Sequence, residues 1–387
     1  MSFDKKINTV LLNTTGAIGD AVQLGTLLTA MKSENPDLKI GVISNPLTHG
    51  VILKDGVFCF SSEDEISPKF KSAPSIDLRD YLQVNPHGNP RKHSSELLVE
   101  YVSKKLKKEQ PQLFESLKGM NSKASKDNIK ISLSQEEKAF GERVMGRIRK
   151  QYPGKKIIVL SAYSTTLNRD IPQNTMAELI KKLSQANIIP ILQEPLPKNK
   201  KPNGCILASN FYDEQEIQKE HLDPLRSSVA IWIQSDGFVG VDSGPHHLIN
   251  AGIQGLEEQN ESIKGLAKEK VLTILGSSAA VAVKYDGNRV IQADLSKSCQ
   301  KKAPCGFHGY EGQEGKKKEG QKNEFPIYFR NQETISEESL SKKGFSKKKI
   351  ETPLCVLPHK GNCEVTKCMH SISYDIIANE IIEMVYG

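Results

Sequence analysis

The sequence predicts an α/β protein with two Rossmann-like units, each built around a parallel sheet. The chain has 387 residues, which is too long for one small core and is typical of two domains of roughly 150 to 200 residues. Residues 10–44 have the pattern strand, turn, helix, strand, and a new alternation of strands and helices begins at residue 156. Such alternation is typical of doubly wound parallel sheets. Two such units would face each other across a central cleft.

The composition is that of an ordinary globular protein. Hydrophobic residues make up 37% and charged residues 26% of the chain, which argues against a disordered or membrane protein. No apolar run reaches the roughly 18 residues of a membrane span, and residues 1–6 lack the apolar core of a signal peptide. We therefore expect a cytoplasmic protein.

The positive charge is concentrated in one segment. The net charge is +7, and residues 296–350 alone contain 13 Lys and Arg against 7 Glu, so this segment contributes +6 and leaves the rest near +1. The segment lacks regularly interleaved aromatic residues, so we expect no nucleic-acid partner. Its lysines are expected instead to attract an acceptor molecule or anionic lipid headgroups.

The first unit is expected to span residues 1–150. It opens with an apolar strand at 10–12, and after the turn TTGAIGDAV apolar residues recur at helical spacing from Leu24 to Met31. Asn35-Pro36 ends this helix. The other elements predicted for this unit are a strand at 38–44 and helices at 94–108 and 134–151, whereas residues 60–95 have no clear pattern.

The second unit is expected to span residues 151–370, and an amphipathic C-terminal helix at 371–387 follows it. Residues 306–354 are rich in Gly, Lys, Glu and Gln, and we interpret them as an insert with a mobile part because they cannot bury enough apolar surface. Strands are predicted at 156–161, 187–192, 205–208, 237–241 and 271–275, and helices at 174–185 and 226–234.

The turn at residues 14–22 is the first candidate for a binding loop. Gly16 and Gly19 allow a ligand to approach the backbone, and the following helix directs free amides to the same place. The turn matches neither the GxxxxGK[ST] nor the GxGxxG nucleotide-binding pattern. Asp20 at the helix start is either a carboxylate that complements the helix dipole or a group that faces a ligand.

A second candidate loop follows the predicted strand at 237–241. Asp242, Ser243 and Gly244 form a turn that exposes backbone amides, and a helix led by Pro245 begins there. A diphosphate suits such a helix start. The next two residues, His246 and His247, lie on different faces of the helix, so at most one of them faces a ligand, and a structural role is the ordinary one for such histidines.

A third candidate loop follows the strand at 156–161. Ser164 and Thr165 offer hydroxyl donors, and Arg169 offers a guanidinium that matches phosphate geometry. The hydroxyls are equally suited to capping the next helix.

Four cysteines near the C-terminus are weak candidates for metal ligands. Their spacing is looser than that of paired CxxC zinc sites, and free thiols are the alternative. These residues are Cys305, Cys355, Cys363 and Cys368.

Taken together, the three loops resemble those of glycosyltransferase family nine, which includes the ADP-heptose:lipopolysaccharide heptosyltransferases. The matching features are Gly19-Asp20 after the first strand, the hydroxyl-rich loop with Arg169 before Pro172, and the DSGPHHL stretch that begins at Asp242. The resemblance extends over roughly residues 7–295, and the cysteine-bearing tail is similar too. It implies the GT-B fold, with an acceptor domain followed by a sugar-nucleotide domain.

The resemblance also implies roles for these residues. Asp20 is expected to be the general base of an inverting transfer, without a required metal, and Gly16 and Gly19 of the same loop are expected to leave room for the acceptor. Arg169 stands where the family has a basic residue that contacts the diphosphate, and Ser164 and Thr165 match its hydroxyl donors. His247, rather than His246, matches the family histidine.

The resemblance implies ADP-heptose as the donor and the lipopolysaccharide inner core as the acceptor, with peripheral contact to the cytoplasmic face of the inner membrane. The sequence departs from the family pattern around Gly25, at Arg169 and in the insert. A protein acceptor therefore stays an alternative, because some relatives glycosylate autotransporters and carry cysteine-bound iron. A non-catalytic sugar-nucleotide binder is the third alternative.

Overall fold

The computed structural model describes most of the chain. The described residues are 8–14, 17–52, 54–79, 81, 92–164, 169–193, 204–260, 262, 265, 268–294 and 367–387. The predicted insert at 306–354 lies outside these ranges, as do Gly16, Thr165, Cys305, Cys355 and Cys363.

Strands and helices alternate along the described chain. The strands are β1 (Thr9–Asn13), β2 (Lys39–Ile43), β3 (Val57–Phe60), β4 (Ser75–Asp77), β5 (Lys156–Ser161), β6 (Ile188–Leu192), β7 (Ile206–Leu207), β8 (Gly237–Val241), β9 (Val271–Leu275) and β10 (Arg289–Gln292). The helices are α1 (Ile18–Glu34), α2 (His49–Ile52), α3 (Pro68–Lys71), α4 (Ser94–Glu109), α5 (Pro111–Leu117), α6 (Met120–Lys123), α7 (Gln135–Gln151), α8 (Gln173–Gln185), α9 (Glu214–Lys219), α10 (Pro224–Trp232), α11 (Gly244–Gln259), α12 (Ala280–Val283), α13 (Lys367–His370) and α14 (Tyr374–Tyr386).

The first sheet has the order β3-β2-β1-β4, and all its pairings are parallel. Helix α1 covers it, because the predicted apolar side chains from Leu24 to Met31 are buried in its core. As predicted, α1 ends at Asn35, whose backbone amide donates to the carbonyl of Met31. The strand order changes direction between β1 and β4, so the loops after these two strands flank a crevice.

The second sheet has six parallel strands in the order β10-β9-β8-β5-β6-β7. If β5 to β10 are numbered 1 to 6 and the sheet is read from β7, the order is 3-2-1-4-5-6, as in the dinucleotide-binding Rossmann sheet. The switch point of this order lies between β5 and β8. Helices cover both faces, with α8 and α14 on one side and α7, α10 and α11 on the other. The predicted fold class, α/β with two Rossmann-like units that each contain a parallel sheet, is confirmed.

Helix α7 packs on the second sheet although its residues precede the expected boundary at 150. Its buried side chains Phe140, Val144 and Ile148 share a core with the second sheet. Ile129, Ile131 and Leu133 belong to the same core. The Ile131 amide also donates to the Ala251 carbonyl at 2.9 Å. We therefore propose that the second unit begins near residue 129.

The C-terminal helix is present and belongs to the second unit. Ser373 caps α14 through a hydrogen bond from the Asp375 amide, and Ile377 and Ile381 are buried in the same core as α8. Within the described ranges, none of the helices combines the length and the apolar character that crossing a bilayer requires.

The crossing of α7 and α10 generates a test of this packing. A β-carbon on Gly141 would lie 2.2 Å from the carbonyl oxygen of Ala230, whereas one on Gly146, in the same helix, would meet nothing within 4 Å. We expect Gly141→Ala to lower the free energy of unfolding by about 1–3 kcal/mol through overpacking. Gly146→Ala is the matched control and should raise it by up to about 1 kcal/mol, because alanine favours helix. Equal urea denaturation midpoints for the two variants would contradict the packing.

Candidate functional site

The first turns of α1 and α11 lie in direct contact across the two units. A β-carbon on Gly19 would lie 3.2 Å from His247 Cδ2 and 3.6 Å from Gly244 Cα. A β-carbon on Gly244 would lie 2.9 Å from Ile18 Cβ. The backbones approach this closely only because both positions are glycine. Each helix follows a strand at its sheet's switch point, so the contact joins the two crevices.

Gly19 therefore has a packing role. We expected its missing side chain to leave room for an acceptor, but its neighbours are Gly244 and His247 of the other unit. Its part in an acceptor loop stays a prediction. Gly16, the other glycine of that loop, lies outside the described residues.

Asp20 directly follows this contact and is half-buried in the first turn of α1. It is not the N-cap residue, because Ala17 holds that position and no side chain caps the helix. Its charge acts on Tyr81, whose pKa is raised first by burial and then by Asp20. Tyr81 also donates a hydrogen bond to the Ser94 carbonyl at 3.0 Å. Asp20 thus has its charge at the positive end of α1, near the chain that follows β4.

Asp242 lies at the centre of a buried charged group in the second unit. Its Oδ2 is 3.4 Å from Arg169 Nη1 and accepts a hydrogen bond from Ser278, and its Oδ1 is 3.8 Å from His247 Nε2. The side chains of Arg169 and Asp242 are 8% and 5% exposed. At this depth, loss of either partner leaves an uncompensated charge. Asp242 therefore holds Arg169 at the switch point.

The remaining predicted donor residues lie at the ends of β5 and β8. The Ser164 amide donates to Asp170 Oδ1 at 2.7 Å, which fixes the start of its loop. Ser243 is the N-cap residue of α11, and its hydroxyl donates to the Val241 carbonyl at 3.1 Å instead of capping the helix. Gly244 is the first helical residue, so its amide has no carbonyl acceptor within the helix. That this amide binds an anion stays a prediction.

His246 and His247 have different environments, as their positions in the helix predict. His246 is fully buried in its own unit, where its Nε2 lies 3.1 Å from the Val283 carbonyl oxygen. Burial lowers the pKa of His246 to about 4, so it is neutral near pH 7. His247 instead faces the first unit, and its Nε2 lies 3.3 Å from Gln23 Nε2. Its Nδ1 lies 2.9 Å from the Tyr285 hydroxyl.

Four residues in this region were not identified from the sequence: Gln23, His93, Ser278 and Tyr285. Ser278 and Tyr285 follow β9, which neighbours β8, so their loop lies at the same edge of the sheet as Asp242. Gln23 is a polar residue, 4% exposed, three positions after Asp20 on the buried part of α1. A polar residue at a buried helical position was the available signal, because such groups are usually hydrogen-bonded.

Of the four cysteines predicted as weak candidates for metal ligands, the structure describes one. Cys368 is buried in α13, and Cys305, Cys355 and Cys363 lie outside the described ranges. In the described part of the chain, no three His, Cys, Asp or Glu side chains group in a way that suits a metal ion. A cysteine-bound metal stays a prediction.

Comparisons with known proteins give only remote structural likenesses. No family model matches the chain, and no curated protein matches it. It is similar to a family nine glycosyltransferase from Veillonella parvula, with a TM-score of 0.49 and 12% identity over 78% of this chain and 91% of that one. It is also similar to the iron-containing heptosyltransferase TibC in complex with ADP-D-beta-D-heptose. The TM-score is 0.47 and the identity 13%, over 75% of this chain and 64% of that one. For ADP-heptose lipopolysaccharide heptosyltransferase II of E. coli, the TM-score is 0.39 and the identity 13%, over 73% of this chain and 90% of that one.

The buried histidines predict a pH dependence of stability. Burial lowers the pKa of His246 from an ordinary 6.5 to about 4, so the unfolded chain takes up this proton first as the pH falls. The contribution of His246 to the free energy of unfolding is therefore complete above pH 6.5 and is lost between about 6.5 and 4. The slope from this one group is about 1.4 kcal/mol per pH unit.

Urea denaturation at several pH values measures this slope. We expect His246→Gln to reduce the slope between pH 6 and 4.5 relative to the unchanged protein, whatever its effect on stability at pH 7. His370→Gln is the control, because His370 is exposed. Identical slopes for all three proteins would contradict a neutral, buried His246.

Proposed function

We propose that this protein is a glycosyltransferase that moves a sugar from a nucleoside diphosphate in the second unit to an acceptor hydroxyl in the first. The observation that carries the proposal is the contact of α1 and α11, which joins the two crevices and places Gly19, the residue before Asp20, against Gly244. A transferase needs a donor site and a base on opposite walls.

The second unit supplies what a departing nucleoside diphosphate needs. The Gly244 amide and the positive end of the 16-residue helix α11 stabilise negative charge. Arg169 adds a guanidinium that Asp242 holds in position. Negative charge that develops on the leaving diphosphate is stabilised best by such groups when they are already in place. Ser164, Thr165 and Ser243 are proposed to add hydroxyl or amide donors.

The first unit supplies the base. In the proposed step the acceptor oxygen attacks the anomeric carbon while the bond from that carbon to the diphosphate oxygen breaks. Asp20 takes the acceptor proton, and the nucleoside diphosphate leaves with the bonding electron pair. A single in-line displacement of this kind inverts the anomeric centre. Asp20 suits the role because it is half-buried and directly follows Gly19, which contacts α11.

The motif resemblance favours ADP-heptose as the donor and a cell-envelope acceptor such as the lipopolysaccharide inner core. Peripheral contact with the inner membrane from the cytoplasm belongs to the same proposal. A protein acceptor is the second candidate, supported by the cysteine-bearing tail. A binder without catalysis is the third, and the position of Asp20 argues against it.

Replacement of the proposed base tests the mechanism. We expect Asp20→Asn to lower the rate of transfer, or of donor hydrolysis, by about 100- to 10,000-fold, because proton transfer to a positioned base contributes that much. The affinity for ADP-heptose, measured by calorimetry, should change less than about threefold, since Asp20 belongs to the acceptor side. Asp37→Asn, at an exposed position beyond α1, is the control.

The outcomes separate the alternatives. Equal turnover of Asp20→Asn and the unchanged protein would exclude Asp20 as the base. If the unchanged protein binds ADP-heptose but neither transfers nor hydrolyses it with any acceptor, the protein is a binder. Product analysis by mass spectrometry distinguishes a glycolipid from a protein acceptor.

A further inference from the structure

One histidine of the second unit is held by a side chain from each unit. His247 is 3% exposed, and its ring packs against those of His246 and Tyr285, with centroids 5.3 and 5.9 Å away. Its Nε2 lies 3.3 Å from the amide nitrogen of Gln23 in the first unit. Its Nδ1 lies 2.9 Å from the hydroxyl of Tyr285. Both ring nitrogens therefore have a polar partner within hydrogen-bond distance.

Gln23 reaches the histidine because helices α1 and α11 are in contact. Gln23 lies four residues after Gly19, and His247 lies three residues after Gly244, so each pair shares one face of its helix. Gly19 and Gly244 meet across the two units, and the side chains one turn further along meet in the same way. A movement of α1 away from α11 would break the Gln23 contact, whereas Tyr285 belongs to the same unit as His247.

The contact with His247 is what a glutamine provides at this position of α1. The nearby residues Leu24 and Leu27 are buried apolar side chains, and Gln23 itself is 4% exposed. Burying a polar amide costs free energy unless it is hydrogen-bonded. A leucine at position 23 would fill similar space in the helix packing without this requirement. The polar group of Gln23 thus has its role at the histidine ring.

The two contacts determine which nitrogen of the ring carries the proton. A neutral imidazole has one proton, so one nitrogen donates and the other accepts. An amide nitrogen only donates, which makes Nε2 of His247 the acceptor for Gln23 and leaves the ring proton on Nδ1, toward Tyr285. A tyrosine hydroxyl can accept as well as donate. Burial raises the pKa of Tyr285, so this hydroxyl stays protonated.

The other tautomer would direct a proton at Asp242. The Oδ1 atom of this carboxylate lies 3.8 Å from Nε2 of His247, and its Oδ2 atom lies 3.4 Å from Arg169 Nη1. With the proton on Nε2, the ring would compete with Arg169 for the charge of Asp242. Such competition is strong because the Asp242 side chain is 5% exposed and water screens it little. With Nε2 as an acceptor, the ring donates nothing to Asp242.

We propose that Gln23 is a positioning residue for the anion site of the second unit. By donating to Nε2 of His247 it keeps the ring proton on Nδ1, so that Asp242 holds Arg169 firmly. Because Gln23 belongs to α1, the site is complete only when the first unit is in place. By linkage, a diphosphate bound at Arg169 in turn favours the contact of the two units. The statement about the diphosphate rests on the proposed function, whereas the positioning of His247 does not.

NMR of the histidine ring nitrogens in the full chain tests the positioning role. Spectra recorded at about pH 8.5, where an ordinary imidazole is neutral, show which nitrogen carries the proton, and His247→Gln identifies the signal. The variants are Gln23→Leu and Tyr285→Phe. Gln254→Leu is the matched control, because Gln254 is also 4% exposed but contacts the Lys126 carbonyl instead of a histidine.

We expect the proton on Nδ1 of His247 in the unchanged protein and in Gln254→Leu. In Gln23→Leu we expect it mainly on Nε2, because the Asp242 carboxylate lies beside that nitrogen. Tyr285→Phe should give the same result, since Nδ1 then loses its acceptor. A merely structural role for Gln23 would change the denaturation midpoint without moving the proton. A proton on Nε2 in the unchanged protein, or the same tautomer in Gln23→Leu, overturns the proposal.

Calorimetric titration with ADP separates this inference from the proposed function. We expect Gln23→Leu to bind ADP about 3- to 10-fold more weakly than the unchanged protein, because a less firmly held Arg169 stabilises the diphosphate less. Gln254→Leu should bind it equally. If the unchanged protein does not bind ADP, the proposed donor site is wrong, and the ring tautomer still decides the role of Gln23. A moved proton with unchanged ADP affinity would contradict the link from Gln23 to the anion site.

Discussion

The contact between α1 and α11 at Gly19 and Gly244 is the constraint on which the arrangement of the site depends. Each helix begins where a strand at its sheet's switch point ends, so the two sheets direct their helix starts to one place. A side chain at Gly244 would require α1 to move, because Ile18 fills the space beside it. The positions of Asp20 and of the Gly244 amide relative to each other follow from this contact.

The same contact brings buried polar side chains together in a row of contacts that extends from the first unit into the second. Gln23 lies three residues beyond Asp20 and contacts His247, which contacts Tyr285. His247 also lies near Asp242, the partner of Arg169. Polar groups at this depth favour one register of the two helices, since any other register leaves them unpaired. The geometry of the charged group in the second unit is thus coupled to helix α1 of the first.

Much of the fold was predictable because it depends on local patterns. Strands β5, β8 and β9 are short apolar runs between turn residues, and their predicted bounds match the structure. Strands β3 and β4 were not predicted, because three or four residues at the edges of a sheet carry too little pattern. The packing of α7 was not predictable either, because its amphipathic pattern does not specify which sheet it covers.

Asp20, Arg169 and Asp242 were candidates from the sequence because each follows a predicted strand, and the structure brings Arg169 and Asp242 into contact, whereas their functional roles stay predictions. Gln23 and Tyr285 were missed because their roles arise only from tertiary contacts. Gln23 and His247 are 224 positions apart in the sequence. The N-cap residue His93 shows the same limit, because its Nδ1 contact with Ser95 is local, whereas its ring contacts with His247 and Tyr285 arise from the tertiary structure.

A crystal structure of the protein with ADP would test the central claim most directly. The account predicts the diphosphate within hydrogen-bond distance of the Gly244 amide, beside Arg169, with the Asp20 carboxylate on the opposite wall of the same crevice. It also predicts that Gly19 and Gly244 stay in backbone contact. A diphosphate bound away from the start of α11, or an Asp20 carboxylate that faces away from the ligand, would contradict it.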